Sequence, residues 1–187
     1  GGGAIAACCG AAGAARGAMA ARSTDGKKGF EAHEPTLTEE IGKLDGVRVE
    51  MLALVDDDAR AYETVSVAYG LPRGDEEEKD VRRAAIQEAL GVALGPPLRA
   101  CRAAVAGLEV LESLRHHVNP SLASDVAVAA YALGAAARAG WVNVLVNLSG
   151  LKDSSQAEGV REEGVKLLKR AAELESAVGS AIEADLA

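Results

Sequence analysis

The first 24 residues, GGGAIAACCGAAGAARGAMAARST, constrain the fold more than any other stretch, because nearly all of them are small. Alanine is the best intrinsic helix former, and small side chains allow neighbouring helices to approach closely. We therefore predict a glycine-rich turn followed by a tightly packed helix over about residues 4–22. Turn chemistry at Asp25 and Gly26 ends this helix.

Apolar residues recur at three- and four-residue spacing through the rest of the chain, which is typical of amphipathic helices. Only 3% of the residues are aromatic although 49% are hydrophobic, so the core must consist mainly of Ala, Val and Leu. The stretch VNVLVNL is rich in β-branched residues, but a lone strand would have no partner, and we predict a helix there as well. The further predicted helices span about residues 36–70, 75–95, 97–116, 121–137, 141–151 and 154–186, with a break at Gly140.

These patterns predict an all-α bundle of about seven helices, including long amphipathic ones, in a single domain over residues 1–187. A formal charge of −8 argues against a nucleic-acid surface. Three cysteines without ligand spacing fit neither a disulfide framework nor a zinc site, and indicate a reducing compartment. The apolar stretch 4–15 is too short to span a bilayer, so we expect a cytoplasmic protein with no membrane contact. Because the chain begins with Gly, we expect a trimmed chain or a fragment.

Carboxylates that interrupt apolar helical stretches are the first candidate functional groups. Asp58 ends an acidic triplet and lies four residues before Tyr62, so both side chains share a helix face. Acidic residues in helices are usually solvated, and that alternative stays open. Asp125 begins an apolar helical stretch, where a first-turn acid that stabilises the helix end is the alternative.

Several uncharged or basic groups could also meet a ligand. Asn143 and Asn147 lie four residues apart on an apolar helix, and buried amides need partners, either a ligand or another helix. The glycines at positions 1–3 precede a helix and would expose backbone N–H groups to an anion or a carbonyl. Lys27 and Lys28 could bind an anionic tail, although loop lysines are most often solubilising.

The order of these features resembles a known family. GGGAIAACCGAAGAARGAMAAR and GKKGFE are followed by LVDDDARAY, LPRGDEEEKDVRRAAIQEAL, PPLRAC and NPSLASDVAVAAYALGAAARAGWVNVLVNLSGLKD. In order and spacing these motifs are similar to the C-terminal domain of formiminotransferase-cyclodeaminase and to its stand-alone relatives, which include methenyltetrahydrofolate cyclohydrolases. The resemblance covers nearly the whole chain.

The resemblance implies an all-α homodimer that uses a tetrahydrofolate derivative as substrate and no metal. In the cyclodeaminase reaction, 5-formiminotetrahydrofolate closes to the 5,10-methenyl form and releases ammonia. A cyclohydrolase instead adds water to the same bridge carbon. We expect the cyclodeaminase reaction, with a glutamate formiminotransferase domain or protein as a further partner. The alternatives are the cyclohydrolase and a non-catalytic dimeric scaffold.

The resemblance also implies roles for individual residues. Either Asp58 or Asp125 would be the catalytic proton shuttle, and the other would hold the pterin amino groups. The residues implied in substrate binding are Gly1, Gly2, Gly3, Lys27, Lys28, Tyr62, Asn119, Asn143 and Asn147.

The chain departs from the family pattern at four positions. Ala4 replaces a common Ser, Arg22 an Asn, Gly29 a Lys, and Ser121 the second Asn of a turn. The smaller groups at positions 4 and 121 are less able to hold a water near the bridge. This difference is the reason for expecting the cyclodeaminase rather than the cyclohydrolase reaction.

Overall fold

The computed structural model describes residues 1–186, and within them all regular structure is helical. The α-helices are α1 Gly2–Thr24, α2 Glu34–Gly70, α3 Glu76–Ala93, α4 Gly95–Leu114, α5 Ala123–Gly150, α6 Ser154–Glu175 and α7 Ala181–Leu186. Short 3₁₀ turns, Glu31–His33 and Pro120–Leu122, precede α2 and α5. The prediction of an all-α fold, including a helix for VNVLVNL, is confirmed.

Helix α1 is the centre of the bundle and packs against α2, α4 and α5. A Cβ atom at Gly13 would lie 3.0 Å from the Ala129 carbonyl oxygen, and one at Gly10 would lie 2.5 Å from Met51 Cε. The helices therefore approach more closely than side chains at these positions would allow. This contact explains why the first segment consists of such small residues.

The predicted helix break at Gly140 is wrong, because α5 continues without interruption from Ala123 to Gly150. A Cβ atom at position 140 would lie 3.0 Å from Cys101 Sγ and 3.1 Å from the Pro97 carbonyl oxygen. Glycine is present here because α4 crosses close by. Tertiary packing thus outweighs the helix cost of glycine, which is about 1 kcal/mol relative to alanine.

The other helix boundaries follow the sequence more closely. Helix α3 ends at Ala93 and α4 begins at Gly95, with prolines in its first turn, where a missing N–H costs nothing. The predicted single helix 154–186 contains a π-helical segment, Ser176–Ser180, between α6 and α7. The number of helices is close to the prediction, but the breaks fall at different places.

Two helical segments of residues 1–186, Gly2–Thr24 and Pro120–Gly150, are by length and composition long and apolar enough to cross a membrane. The expectation that the first apolar stretch is too short is therefore wrong. About half of each apolar window is buried inside the bundle, and core helices pass the same test. The apolar character of α1 is explained by its central position, and the two helices are only weak evidence for a membrane protein.

Candidate functional site

Asp58 on α2 lies at the amino terminus of α1. Its Oδ2 atom accepts a hydrogen bond of 3.0 Å from the backbone N–H of Ala4. A Cβ atom at Gly3 would lie 2.6 Å from Asp58 Cγ and 2.9 Å from Oδ2. The carboxylate therefore occupies space that only a glycine at position 3 leaves open.

This contact stabilises the start of α1. Its first N–H groups have no partner within the helix, and Gly1 offers no side chain to cap them. A carboxylate at a helix amino terminus also interacts favourably with the helix dipole. Asp58 thus supplies from another helix the acceptor that an N-cap residue normally provides.

Asn143 and Asn147 of α5 lie at the same end of the bundle as Asp58. The Asn143 side-chain NH₂ donates to the Ala139 carbonyl at 2.8 Å, and that of Asn147 donates to the Ala93 carbonyl at 2.8 Å. Asn147 therefore bridges two helices, as one of the two sequence alternatives required. Within residues 1–186 neither Oδ1 atom accepts a hydrogen bond, so both could accept N–H groups of a ligand.

These groups surround a cavity of about 490 Å³. Tyr62 lines it as predicted, but its side chain is 74% exposed, so one side of the cavity is open to solvent. The lining residues are Gly1, Gly2, Asp58, Ala61, Tyr62, Ala93, Asn143, Val146 and Asn147. The cavity is large enough for a small organic molecule.

Asp58 differs from the other two members of the acidic triplet. Asp56 is exposed, and Asp57 pairs with Arg60 at 2.5 Å and with Arg99 at 3.2 Å. Asp58 has no basic partner in the described part of the chain. Of the three carboxylates, Asp58 is the one available to a ligand in the cavity.

The remaining predicted site residues lie at the other end of α1. Asp125 forms an ion pair with Arg16. Asn119 receives hydrogen bonds from the backbone and the hydroxyl of Ser121, and its own N–H donates to Thr24 Oγ1 at 3.0 Å. Lys27 and Lys28 are exposed in the turn after α1. We call this group the Arg16–Asp125 end of the bundle.

One chain does not bring the two predicted catalytic carboxylates together. Asp125 and Asn143 both belong to α5 and are 18 residues apart, which corresponds to roughly 27 Å along a helix. Likewise, Lys27 and Lys28 follow the far end of a 23-residue helix that begins at Gly2. Within one chain, the cavity beside Asp58 therefore does not include Asp125, Lys27 or Lys28.

The sequence did not reveal Arg16 as the ion-pair partner of Asp125, or Ala93 as a lining residue of the cavity beside Asp58. The signal for Arg16 was present, because it is the only charged residue among the first 21. Ala93 contributes its backbone carbonyl to Asn147, and an alanine carries no signal for such a role.

A second cavity, of about 450 Å³, lies between α2 and α4, where Glu40 lines it together with Lys43, Glu109 and Ser113. Glu40 is buried, and within residues 1–186 neither of its carboxylate oxygens has a hydrogen-bond partner. Burial raises the pKa of Glu40 above its usual value, while the nearby Ser113 hydroxyl opposes this shift. Both carboxylate oxygens are shielded from solvent.

Comparison with known proteins identifies the family. Residues 1–166 match the formiminotransferase-cyclodeaminase family model. A methenyltetrahydrofolate cyclohydrolase of Methylorubrum extorquens is 38% identical over 93% of this chain and 84% of its own length. The formimidoyltransferase-cyclodeaminase of Mus musculus is 33% identical over 98% of this chain, which spans only 34% of that protein.

The fold has a solved counterpart in the crystal structure of formiminotetrahydrofolate cyclodeaminase from Thermotoga maritima. The two structures superpose with a TM-score of 0.88 at 29% identity, covering 100% of this chain and 89% of the other. Together, the matching motifs, the shared fold and the identity along nearly the whole chain show that this protein belongs to the formiminotransferase-cyclodeaminase family of folate one-carbon enzymes.

Proposed function

We propose that the chain hydrolyses the one-carbon bridge of 5,10-methenyltetrahydrofolate to give 10-formyltetrahydrofolate. The observation that carries this proposal is the carboxylate of Asp58, which faces a cavity beside two asparagine oxygens and has no basic partner among residues 1–186. A tetrahydrofolate derivative supplies pterin N–H groups for these acceptors. The methenyl carbon then lies near the carboxylate.

In the proposed mechanism Asp58 acts as general base and then as general acid. The carboxylate takes a proton from water as the oxygen attacks the positively charged bridge carbon, forming a tetrahedral carbinolamine. The same proton passes to N5 as the bond between N5 and this carbon breaks. The carbinol hydroxyl loses its proton to solvent and becomes the formyl oxygen, so that one proton is released per turnover. A positioned carboxylate typically accelerates such transfers by about 100- to 10,000-fold.

Two observations favour hydrolysis over the cyclodeaminase reaction expected from the sequence. The cavity is open to water beside Tyr62, and the relative with 38% identity over 84% of its own length is a cyclohydrolase. In addition, Ser121 bonds to Asn119 at the opposite end of α1. Its small size therefore cannot affect water binding near Asp58 of the same chain.

The cyclodeaminase reaction is the second candidate, favoured by the close superposition on the Thermotoga maritima enzyme. In that reaction N10 of 5-formiminotetrahydrofolate attacks the formimino carbon, and the nitrogen that leaves as ammonia must gain a proton. Asp58 in its protonated form would supply it. The two reactions need the same carboxylate and differ in whether water or N10 is the nucleophile.

The resemblance also supports a homodimer, a cytoplasmic location and, for the cyclodeaminase alternative, a formiminotransferase partner. The mammalian relative carries the matching region as about a third of its length, which supports such a partner. A non-catalytic scaffold is less well supported, because the family to which this chain belongs consists of folate one-carbon enzymes.

The proposal is tested by incubating the protein separately with methenyltetrahydrofolate and with 5-formiminotetrahydrofolate. We expect the methenyl absorbance to fall faster than the uncatalysed rate, and little ammonia from the formimino substrate. Asp58→Asn, which keeps an acceptor for the Ala4 N–H, should lower turnover at least tenfold with nearly unchanged melting. Ammonia release with no methenyl hydrolysis would establish the cyclodeaminase instead, and inactivity on both substrates would refute both reactions.

A further inference from the structure

Two histidine rings from distant parts of the chain meet at the Arg16–Asp125 end of the bundle. Nδ1 of His33 lies 3.2 Å from Nδ1 of His117, and the ring centroids are 5.0 Å apart. His33 immediately precedes α2, whereas His117 follows α4, so the contact joins segments 84 residues apart. Both residues are half-buried, and the reaction proposed at Asp58 uses neither of them.

The connection between α1 and α2 fixes the position of His33. The Lys27 N–H donates to the Thr24 carbonyl at 3.1 Å, and the Phe30 N–H donates to the Lys27 carbonyl at 3.0 Å. The His33 N–H in turn donates to the Phe30 carbonyl at 2.8 Å. The Phe30 ring also packs against the His33 ring, with their centroids 6.3 Å apart. Consecutive turns and an aromatic contact therefore hold this imidazole in place.

The end of α4 fixes the position of His117. Its N–H donates to the Leu114 carbonyl at 2.9 Å, and the Val118 N–H donates to the same carbonyl at 3.0 Å. Val118 is buried in the core. The Asn119 N–H donates to Thr24 Oγ1 at 3.0 Å, which ties this segment to the end of α1. Both imidazoles therefore extend from backbone that is hydrogen-bonded on each side of their contact.

The separation of the two Nδ1 atoms fits two ligands of one metal ion. Zinc–nitrogen bonds are about 2.0–2.1 Å long and zinc sites are usually tetrahedral, which places two ligand nitrogens about 3.3–3.4 Å apart. The observed separation of 3.2 Å is close to this spacing. A direct N–H···N hydrogen bond between the rings is the alternative at this distance, but it supplies no charge to the buried carboxylate nearby.

That carboxylate belongs to Glu40. The residue is 4% exposed, and in the described part of the chain neither of its oxygens has a hydrogen-bond partner. Glu40 lies seven residues after His33, close to two helical turns, and His117 is within electrostatic range of it. The neighbouring Lys43 is half-exposed and pairs with Glu39 at 2.6 Å. Because a buried charge normally has a partner, a cation bound between the two histidines would stabilise this carboxylate.

The donor atoms indicate the class of metal. Imidazole nitrogen suits Zn²⁺, Cu²⁺ and Ni²⁺, whereas Mg²⁺ prefers oxygen ligands. Each ring would carry its hydrogen on Nε2 and so offer the lone pair of Nδ1 to the ion. Among residues 1–186 no three His, Cys, Asp or Glu side chains lie close enough together to form a ligand set by themselves. Water would therefore occupy the remaining coordination positions.

We propose that His33 and His117 bind a divalent transition-metal ion such as Zn²⁺ through their Nδ1 atoms, with the Glu40 carboxylate as its buried counter-charge. The ion joins the start of α2 to the end of α4 and holds the α1–α2 connection on the bundle. Because the two ligands are 84 residues apart in sequence, binding requires the folded chain and therefore stabilises it. This role is structural and separate from the reaction at Asp58, whose cavity is lined by other residues.

The site is tested by titration calorimetry of the full chain with Zn²⁺ alone. Cys8 and Cys9 are first replaced by alanine in every variant, because accessible thiols also bind zinc. In this background we expect one ion per chain and a melting temperature raised by several degrees at saturation. His33→Asn and His117→Asn should each weaken binding at least tenfold. The matched control is His116→Asn, since the neighbouring His116 side chain is 54% exposed, and it should bind like the background.

Glu40→Gln tests the counter-charge, because it keeps the shape of the side chain and removes the charge. We expect about tenfold weaker zinc binding, the loss typical of removing a group that supports a metal ligand. Mg²⁺ should not bind at the same concentrations.

Three results would overturn the proposal. They are no zinc binding by the background protein, unchanged binding in both His33→Asn and His117→Asn, and Mg²⁺ binding as tight as that of Zn²⁺. Circular dichroism reports whether each variant keeps its helix content, and the two histidines are replaced separately so that one variant remains informative if the other unfolds. None of these results depends on turnover of a folate, so the proposed function stands or falls independently.

Discussion

Substitution of Gly3 by alanine should displace the Asp58 carboxylate without unfolding the protein. The added Cβ atom would lie 2.6 Å from Asp58 Cγ and 2.9 Å from Oδ2, closer than non-bonded atoms tolerate. The backbone of α1 is fixed in the core, whereas the Asp58 side chain can rotate away. We therefore expect the carboxylate to move and its hydrogen bond to the Ala4 N–H to break.

The size of the effect follows from two opposing terms. A hydrogen bond to a charged group contributes about 1.5–3 kcal/mol to stability. Replacing glycine by alanine in a helix returns up to about 1 kcal/mol. The net loss should be about 1–2 kcal/mol, which lowers the melting temperature by a few degrees in a chain of this length. Turnover should fall about 100-fold, because a displacement of about 1 Å in a catalytic group has such an effect.

Thermal unfolding followed by circular dichroism, together with the methenyl hydrolysis assay, measures both effects. Gly42→Ala is the matched control, since Gly42 is also helical and a Cβ atom there would meet no atom of the described residues within 4 Å. The control should be as active as the unmodified protein and at least as stable. If Gly3→Ala matched the control in both stability and turnover, the assignment of Asp58 to this position would be refuted.

Two further predictions concern buried ionisable groups. Burial raises the pKa of Glu40 above its usual value of 4.5. The ionised carboxylate therefore lowers the stability of the folded state as the pH rises through the raised pKa. Below pH 4.5 this loss of stability is absent. The free energy of unfolding of Glu40→Leu should therefore be about 1–3 kcal/mol higher than that of the unmodified protein at neutral pH. This gain should shrink on acidification, and an equal gain at every pH would contradict the role of the buried carboxylate. Burial raises the pKa of Cys101 to about 12. Mass spectrometry should therefore show that a thiol reagent modifies the exposed Cys8 long before Cys101. Equal rates of modification would show that the α4–α5 contact opens readily.

The sequence predicted the helices well where local patterns decide the structure. The periodicity of α2 and the Leu-Pro pair after Gly70 predicted its end, and the prolines at positions 96 and 97 marked the start of α4. Gly140 misled the prediction because its effect depends on Cys101 and Pro97, which are distant in sequence. Local propensity cannot reveal such a contact.

The site was predicted in part for the same reason. The four-residue spacing of Asp58 and Tyr62 placed both on one face, and both line the cavity. Arg60 and Arg99 pair with Asp57 and so leave Asp58 as the acid available to a ligand. The spacing of the residues alone does not show this pairing. The separation of Asp125 from Asp58 follows from the uninterrupted length of α5, which the false break at position 140 concealed.

A crystal structure of the protein with bound tetrahydrofolate tests the central claim most directly. We predict the pterin in the cavity beside Asp58, with its N5 within direct or water-mediated hydrogen-bond reach of the carboxylate and ring N–H groups donating to the Asn143 and Asn147 oxygens. The pterin bound in the cavity beside Glu40, or bound with Asp58 still facing only the Ala4 N–H and solvent, would contradict the account.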